Sequence, residues 1–221
     1  MQPIILDVES IGIPDVETYL EPISAPANYK DPEKIAAYER EERAKQIERA
    51  ALDVDLGQII CVGIYFGGVS SVVSGRDWAE VSMLENLWQV WGRLDSPMLV
   101  TFGGLNFDVP LLLRRSLYLG IKAPYISCDR YRQPQQIDLM SILSMDGKLK
   151  WRGLQFYLNR LGYPHGGPDI TGAEIAERYA AGDWAAIEQH CRMDVDATKW
   201  LAERIGAIPK MQPAEKAVGA F

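Results

Sequence analysis

The sequence predicts an α/β fold, a mixed central sheet of about five strands flanked by helices. Three observations carry that expectation. Pro3-Ile4-Ile5-Leu6 is an apolar, β-branched run of strand character close to the N-terminus. Residues 58–66 and 69–74 form two more such runs joined only by Gly67-Gly68, a hairpin signal. Beyond Ala79 the chain alternates between helical periodicity and short apolar runs, as a mixed sheet requires.

The first strand is expected over Pro3–Ser10, ending in Asp7 and Glu9. Residues i and i+2 of a strand share a face, so these two acids lie side by side while Val8 turns into the core. Residues 11–30, with Pro14, Pro22 and Pro26, read as irregular. Asp31-Pro32-Glu33 is a helix start with cap, proline and first-turn acid in place. The helix it opens runs to about residue 51 and carries Ile35, Tyr38 and Ile47 among many charges. It reads as a solvated helical insertion with a thin buried stripe, either plain surface or a flap beside the substrate.

After the hairpin, Met83, Leu84, Leu87, Trp88, Trp91 and Leu94 recur at helical spacing, so residues 79–94 form a helix whose tryptophans belong to the core. Residues 97–102 are the next buried strand. Gly103-Gly104 closes it, Asn106 caps a helix, and Leu111, Leu112, Leu113 and Leu117 supply that helix's apolar face. Asp108 then stands in the first turn, just past the carboxyl end of a strand, where α/β sheets bind ligands. Residues 137–140 suggest a short edge strand, and residues 151–161, 171–180 and 183–205 three helices. One domain is expected over residues 1–208, with a loose tail at 209–221.

The net charge of −7 argues against holding nucleic acid by bulk electrostatics, yet it suits an enzyme whose acids bind divalent metals. No apolar run approaches the roughly 20 residues that cross a bilayer, and no secretory signal opens the chain. Cys61, Cys128 and Cys191 form no C-x-x-C pair. A reducing, cytoplasmic setting is the expectation.

Two anions held at one sheet edge repel unless a cation lies between them, and hard carboxylate oxygens suit magnesium or manganese. Near the C-terminus, His190 and Asp194 are spaced i, i+4 and share a helix face. The chain thus presents Asp7-x-Glu9 on a first strand, Asn106-Phe107-Asp108 after a fourth, and His190-x-x-x-Asp194 on a late helix. This ordered set resembles the DEDD superfamily of 3′–5′ exonucleases, which have a ribonuclease H-like fold. The closest likeness is to predicted exonucleases related to the proofreading domain of family-B DNA polymerases, where Tyr-Cys-x-x-Asp-Val is typical. Here the segment is His190-Cys191-Arg192-Met193-Asp194-Val195, a histidine at the tyrosine's spacing.

The resemblance implies that Asp7, Glu9, Asp108 and Asp194 hold two divalent ions, Mg2+ or Mn2+. It also implies release of nucleoside 5′-monophosphates from single-stranded 3′ ends, DNA favoured. An RNA 3′-end exonuclease of the same fold and a silent binding module are the alternatives. His190 is the candidate base, an imidazole able to take a proton near neutral pH. Asn106 and Phe107, flanking Asp108, are the candidate substrate contacts. Arg114-Arg115, Arg130-Tyr131-Arg132 and Lys148, Lys150 and Arg152 are basic clusters able to meet phosphates. Asp138, His165 and Asp169 are expected to support the site rather than act in it. With no polymerase domain in the chain, service to a DNA polymerase in trans is expected.

Overall fold

A computed structural model describes residues 3–94, 97–128, 135–164 and 170–211. Its strands are β1 (Pro3–Gly12), β2 (Gly57–Phe66), β3 (Val69–Ser74), β4 (Met98–Thr101) and β5 (Gln136–Asp138). Its helices are α1 (Pro32–Arg49), α2 (Glu80–Gly92), α3 (Asp108–Tyr118), α4 (Leu139–Leu143), α5 (Leu154–Leu161), α6 (Ile175–Ala180) and α7 (Trp184–Arg204). The strands form one mixed sheet in the order β3-β2-β1-β4-β5. β1 is antiparallel to β2 and parallel to β4, and β5 continues the parallel half.

Alternation along β1 divides the core in two. Ile4, Leu6 and Val8 pack with Met83, Leu84, Leu87 and Trp88 of α2 and with Val109, Leu111 and Leu112 of α3. Ile5 faces the other way, with Val195, Leu201 and Ala202 of α7. Each fully buried aliphatic side chain in these layers contributes about 1.5–3 kcal/mol. The buried indole of Trp88 is satisfied as well as packed: its Nε1 donates to Ser116 Oγ at 2.8 Å.

α7 lies close to the sheet because Gly63 has no side chain. A Cβ there would stand 2.8 Å from both Cys191 Sγ and Val195 Cγ2. Asp183 caps this helix, accepting from the Ala186 amide at 3.2 Å.

Several expectations are corrected. β1 runs on to Gly12, with an irregularity between Glu9 and Ser10, so the two acids sit inside the strand rather than at its end. Asn106 does not cap α3. Phe107 occupies the cap position without a side-chain bond, and the preceding loop is held from below by Asp138. Leu117 is 64% exposed, because α3 buries Leu112, Arg115 and Ser116 instead. Leu139 and Met140 belong to a helix, since Asp138 accepts from the Ser141 amide at 3.0 Å and starts α4 there. The helix expected from residue 151 begins at Leu154. Residues 172–174 form a 3-10 turn ahead of α6, with Thr171 and Glu174 as a capping box.

α1 has its expected Asp31 cap but buries no residue fully. It contributes Gln46 and Arg49 to a cleft of about 1000 Å³ that contains none of the motif acids. Residues 209–211 are not loose at their end, for the Met211 amide donates to Glu203 Oε1 at 2.9 Å. The remainder of that tail lies outside the described residues. No helix among the described residues is long and apolar enough to cross a membrane.

Candidate active site

β4 pairs with β1 only through Pro3–Ile5, so Asp7 and Glu9 lie beyond the point where β4 stops. They are in phase with Ile5 and therefore face α7. From α7, His190 and Asp194 reach back one helical turn apart. His190 Nε2 is 3.7 Å from Glu9 Oε1 and 3.8 Å from Asp194 Oδ2. The imidazole is 5% exposed, and its Nδ1 has no hydrogen-bond partner among the described residues.

Asp108, also buried, enters from the start of α3. Its place depends on two residues that its own motif does not contain. A Cβ on Gly104 would lie 2.7 Å from Asp108 Oδ2 and 2.6 Å from Thr101 Cβ, so only glycine fits there. Asp138 fixes the loop, its Oδ1 accepting from the Gly103 amide at 3.2 Å and its Oδ2 from the Leu105 amide at 3.1 Å. Asp138 is thus a support, as expected. Gly63 and Gly104 were missed; a glycine inside the apolar run of β2 is the signal that could have found the first.

Asp7, Glu9, His190 and Asp194 line one cleft of about 510 Å³, opposite Leu154, Gln155 and Leu158 of α5 and the Ile170–Gly172 turn. Neither lysine nor arginine is among its described lining residues. The acids accordingly resist ionisation. Burial first, then repulsion from Glu9, Asp108 and Asp194, raises the Asp7 carboxyl well above its ordinary value. Glu9 is raised well above its ordinary value by burial and by Asp194, Cys61 and Asp108. Asp108 is pushed from 3.8 to about 7 by burial, Asp138 and Asp194. Burial also raises Asp194, with His190 opposing.

One ligand atom each of Asp7, Glu9 and Cys191 lie within 4.8 Å of one another. Cys191 is nonetheless a poor ligand candidate. Its hydrogen bond with Cys61 and its burial hold the thiol protonated far above its usual range, and only a thiolate binds metal well. Its Sγ, 3.8 Å from the Asp7 carbonyl oxygen, serves to seat α7 on the sheet. The donor set that remains, carboxylates that repel one another with no fixed cation nearby, fits hard divalent ions.

Other candidates fall elsewhere. Asn106 is exposed and Phe107 packs against the α2–α3 core, and neither lines the cleft. Arg115 is buried in a bidentate pair with Glu80 at 2.8 and 2.7 Å, so its charge is not open to phosphate. Arg114 pairs with Asp55 at 3.3 Å. Arg130, Tyr131, Arg132, His165 and Asp169 lie outside the described residues.

Residues 64–209, well over half of the chain, match the family described as "Predicted 3'-5' exonuclease related to the exonuclease domain of PolB". The match begins within β2, so Asp7 and Glu9 precede it. The fold is similar to that in "Structure of the family B DNA polymerase from the hyperthermophilic archaeon Pyrobaculum calidifontis", with a TM-score of 0.61 and 16% identity. That likeness covers 93% of this chain and 24% of the polymerase chain. This protein therefore spans about a quarter of that polymerase's length, and at such identity the likeness is one of fold. No curated protein matches the chain.

Proposed function

The chain belongs to the family of predicted 3′–5′ exonucleases related to the exonuclease domain of PolB, and we propose that it trims the 3′ end of single-stranded nucleic acid, DNA favoured, releasing nucleoside 5′-monophosphates. The observation that carries this reading is the acid cleft. Asp7 and Glu9 from β1 and Asp194 from α7 share it without lysine or arginine in its described lining, and Asp108 adds its charge from α3. We assign these four acids as ligands for two Mg2+ or Mn2+ ions.

Bound there, such ions activate a water and stabilise the departing 3′ oxygen of a phosphodiester. The chain's own residues do the rest. Asp138, through the Gly103 and Leu105 amides, holds the loop that aims Asp108. His190, with Nε2 directed between Glu9 and Asp194, takes the proton of the attacking water. Phe107 anchors the turn before Asp108 from its core side. A reducing, cytoplasmic setting and a DNA polymerase served in trans complete the proposal.

The test is incubation of 5′-labelled linear single-stranded DNA and RNA, and of internally labelled circular single strands, with manganese. A descending ladder on linear DNA, slower on RNA and absent with chelator, is expected. Cutting of the circle would show an endonuclease and overturn the 3′-end reading. Faster loss of RNA would overturn the DNA preference.

A further inference from the structure

We propose that residues 144–152, with Phe156 of α5, form a platform for the single strand behind its 3′ end, Trp151 and Phe156 stacking on bases while Lys148, Lys150 and Arg152 meet phosphates. The proposal rests on the 3′-end reading and adds the surface that holds the rest of the strand.

The first support is composition in place. Met145, Leu149, Trp151 and Phe156 are 60%, 51%, 38% and 41% exposed, a concentration of surface apolar groups that core packing does not explain. Lys148, Lys150 and Arg152 alternate with them, all exposed and without an ion-pair partner among the described residues. Arg152 lies over the Phe156 ring, 4.7 Å from its centroid. Cations interleaved with exposed aromatic rings are what sequence-tolerant single-strand surfaces use. In a chain of net charge −7, a local cluster of this kind is also where a polyanion meets least repulsion.

The second support is the shape of the loop. Met145 and Asp146 have φ of 51° and 56° and are followed by Gly147 at 83°; they are the only non-glycine residues with positive φ among those described. Left-handed backbone is unfavourable for such residues and persists only where the surroundings impose it. Here the Asp146 amide donates to the Ser141 carbonyl at 2.8 Å, the Gly147 amide to Ser144 Oγ at 3.1 Å and the Leu149 amide to the Ser144 carbonyl at 2.8 Å. The indole of Trp151 covers Gly147, where a Cβ would lie 3.2 Å from its Cζ2. The exposed groups are therefore presented by a preformed loop.

The third support is position. Leu154 and Gln155, the first residues of α5, line the acid cleft one residue beyond Arg152, after the cap Gly153. Phe156 packs edge-on against Tyr157, and Tyr157 against Phe102 at the end of β4. The platform is thus continuous with the cleft and tied to the end of β4, the strand beside the one that carries Asp7 and Glu9.

The experiment separates the platform from the cleft by substrate length. Three probes are used with the full chain: the p-nitrophenyl ester of thymidine 5′-monophosphate, which needs only the cleft, and oligothymidylates of about 4 and about 16 nucleotides, spanning usual single-strand site sizes. Ester turnover is followed in manganese, and oligonucleotide binding by fluorescence anisotropy in calcium across a salt series. The triple variant Lys148→Ala, Lys150→Ala, Arg152→Ala should leave ester turnover unchanged and bind the longer strand at least about tenfold more weakly. Its salt slope should be flatter by about 2, at roughly 0.7 per phosphate contact. Trp151→Ala and Phe156→Ala should each lose about 5- to 150-fold on the longer strand and little on the shorter. Parental affinity and salt slope in the triple variant would overturn the platform, its exposed lysines making misfolding no escape. No ester turnover by the parent, with long-strand binding still lost in the triple variant, would instead remove the exonuclease reading and leave the platform standing.

Discussion

Asp7 and Gly63 stand opposite one another in the β1–β2 ladder, and the bare backbone of Gly63 is what lets α7 lie over the pair. The helix that brings His190 and Asp194 to the acids is therefore positioned by a residue without a side chain, on a strand without a motif.

Gly63→Ala should expose that dependence. The added Cβ, 2.8 Å from Cys191 Sγ and Val195 Cγ2, has to push α7 outward. Overpacking of this kind costs about 1–3 kcal/mol, or about 2–4 °C of Tm for each kcal/mol. Turnover should fall at least about tenfold, since small misplacements of catalytic groups are expensive. Gly92→Ala, with nothing within 4 Å of the new Cβ and a helical backbone that suits alanine, is the control and should leave turnover unchanged without lowering Tm. Parental turnover in Gly63→Ala would show that the site does not depend on the close seating of α7 at Gly63.

Asp138→Asn tests the loop beneath Asp108. Asp138 Oδ1 accepts from the Gly103 and Ser141 amides while Oδ2 accepts from Leu105. An asparagine has one acceptor oxygen, so its NH2 must face at least one of those amides. The expected loss of stability is about 1–3 kcal/mol. The manganese concentration for half-maximal activity should rise about 10- to 100-fold, the usual scale for a residue that orients a ligand. A drop in Tm with unchanged metal dependence would reduce Asp138 to a purely structural role.

These dependences explain what was legible in the sequence. Asp7 and Glu9, and likewise His190 and Asp194, could be paired in advance because strand and helix periodicity fix which near neighbours share a face. The hairpin was equally plain, since Gly67-Gly68 and its flanking runs are contiguous. Gly63 and Gly104 were not legible as site residues, because their roles depend on which distant elements approach them. Arg115 misled for the same reason: beside Arg114 it looked like a phosphate contact, yet Glu80, far off in sequence, encloses it. The failed Asn106 cap belongs here too, as the loop it was to stabilise is held by Asp138 from another strand.

The metal-free protein should lose stability as pH rises. Folded Asp108 keeps its proton up to about pH 7, whereas in the unfolded chain it is lost near the ordinary value of 3.8. Across that window the folded state binds more protons, so the unfolding free energy falls with increasing pH. Asp7, Glu9 and Asp194 are raised and act in the same direction. In chelator, Asp108→Asn should therefore raise Tm more at pH 7.5 than at pH 5, and saturating manganese should abolish that advantage. Parallel Tm–pH curves for the parent and Asp108→Asn would contradict the burial and repulsion assigned to Asp108.

His190 is the departure from the tyrosine-containing pattern that this chain otherwise resembles, and its surroundings make its role testable. Nε2 sits 3.7 Å from Glu9 Oε1 and 3.8 Å from Asp194 Oδ2, beyond direct hydrogen bonding but suited to a water between them. Nδ1 has no partner among the described residues, so no second group there fixes the ring. If the imidazole takes the proton of the attacking water, His190→Ala should reduce kcat by about 10²–10⁴. KM for the longer oligonucleotide should stay near the parental value, because the strand is held elsewhere. His190→Tyr occupies the same helix face with a hydroxyl able to orient a water, so it should recover part of what the alanine loses. His190→Gln supplies polarity without a base and should stay near the alanine level. Full activity in His190→Ala with metal saturated would make His190 a buried neighbour of Asp194 and remove it from the chemistry, leaving the four-acid site to stand or fall on its own tests.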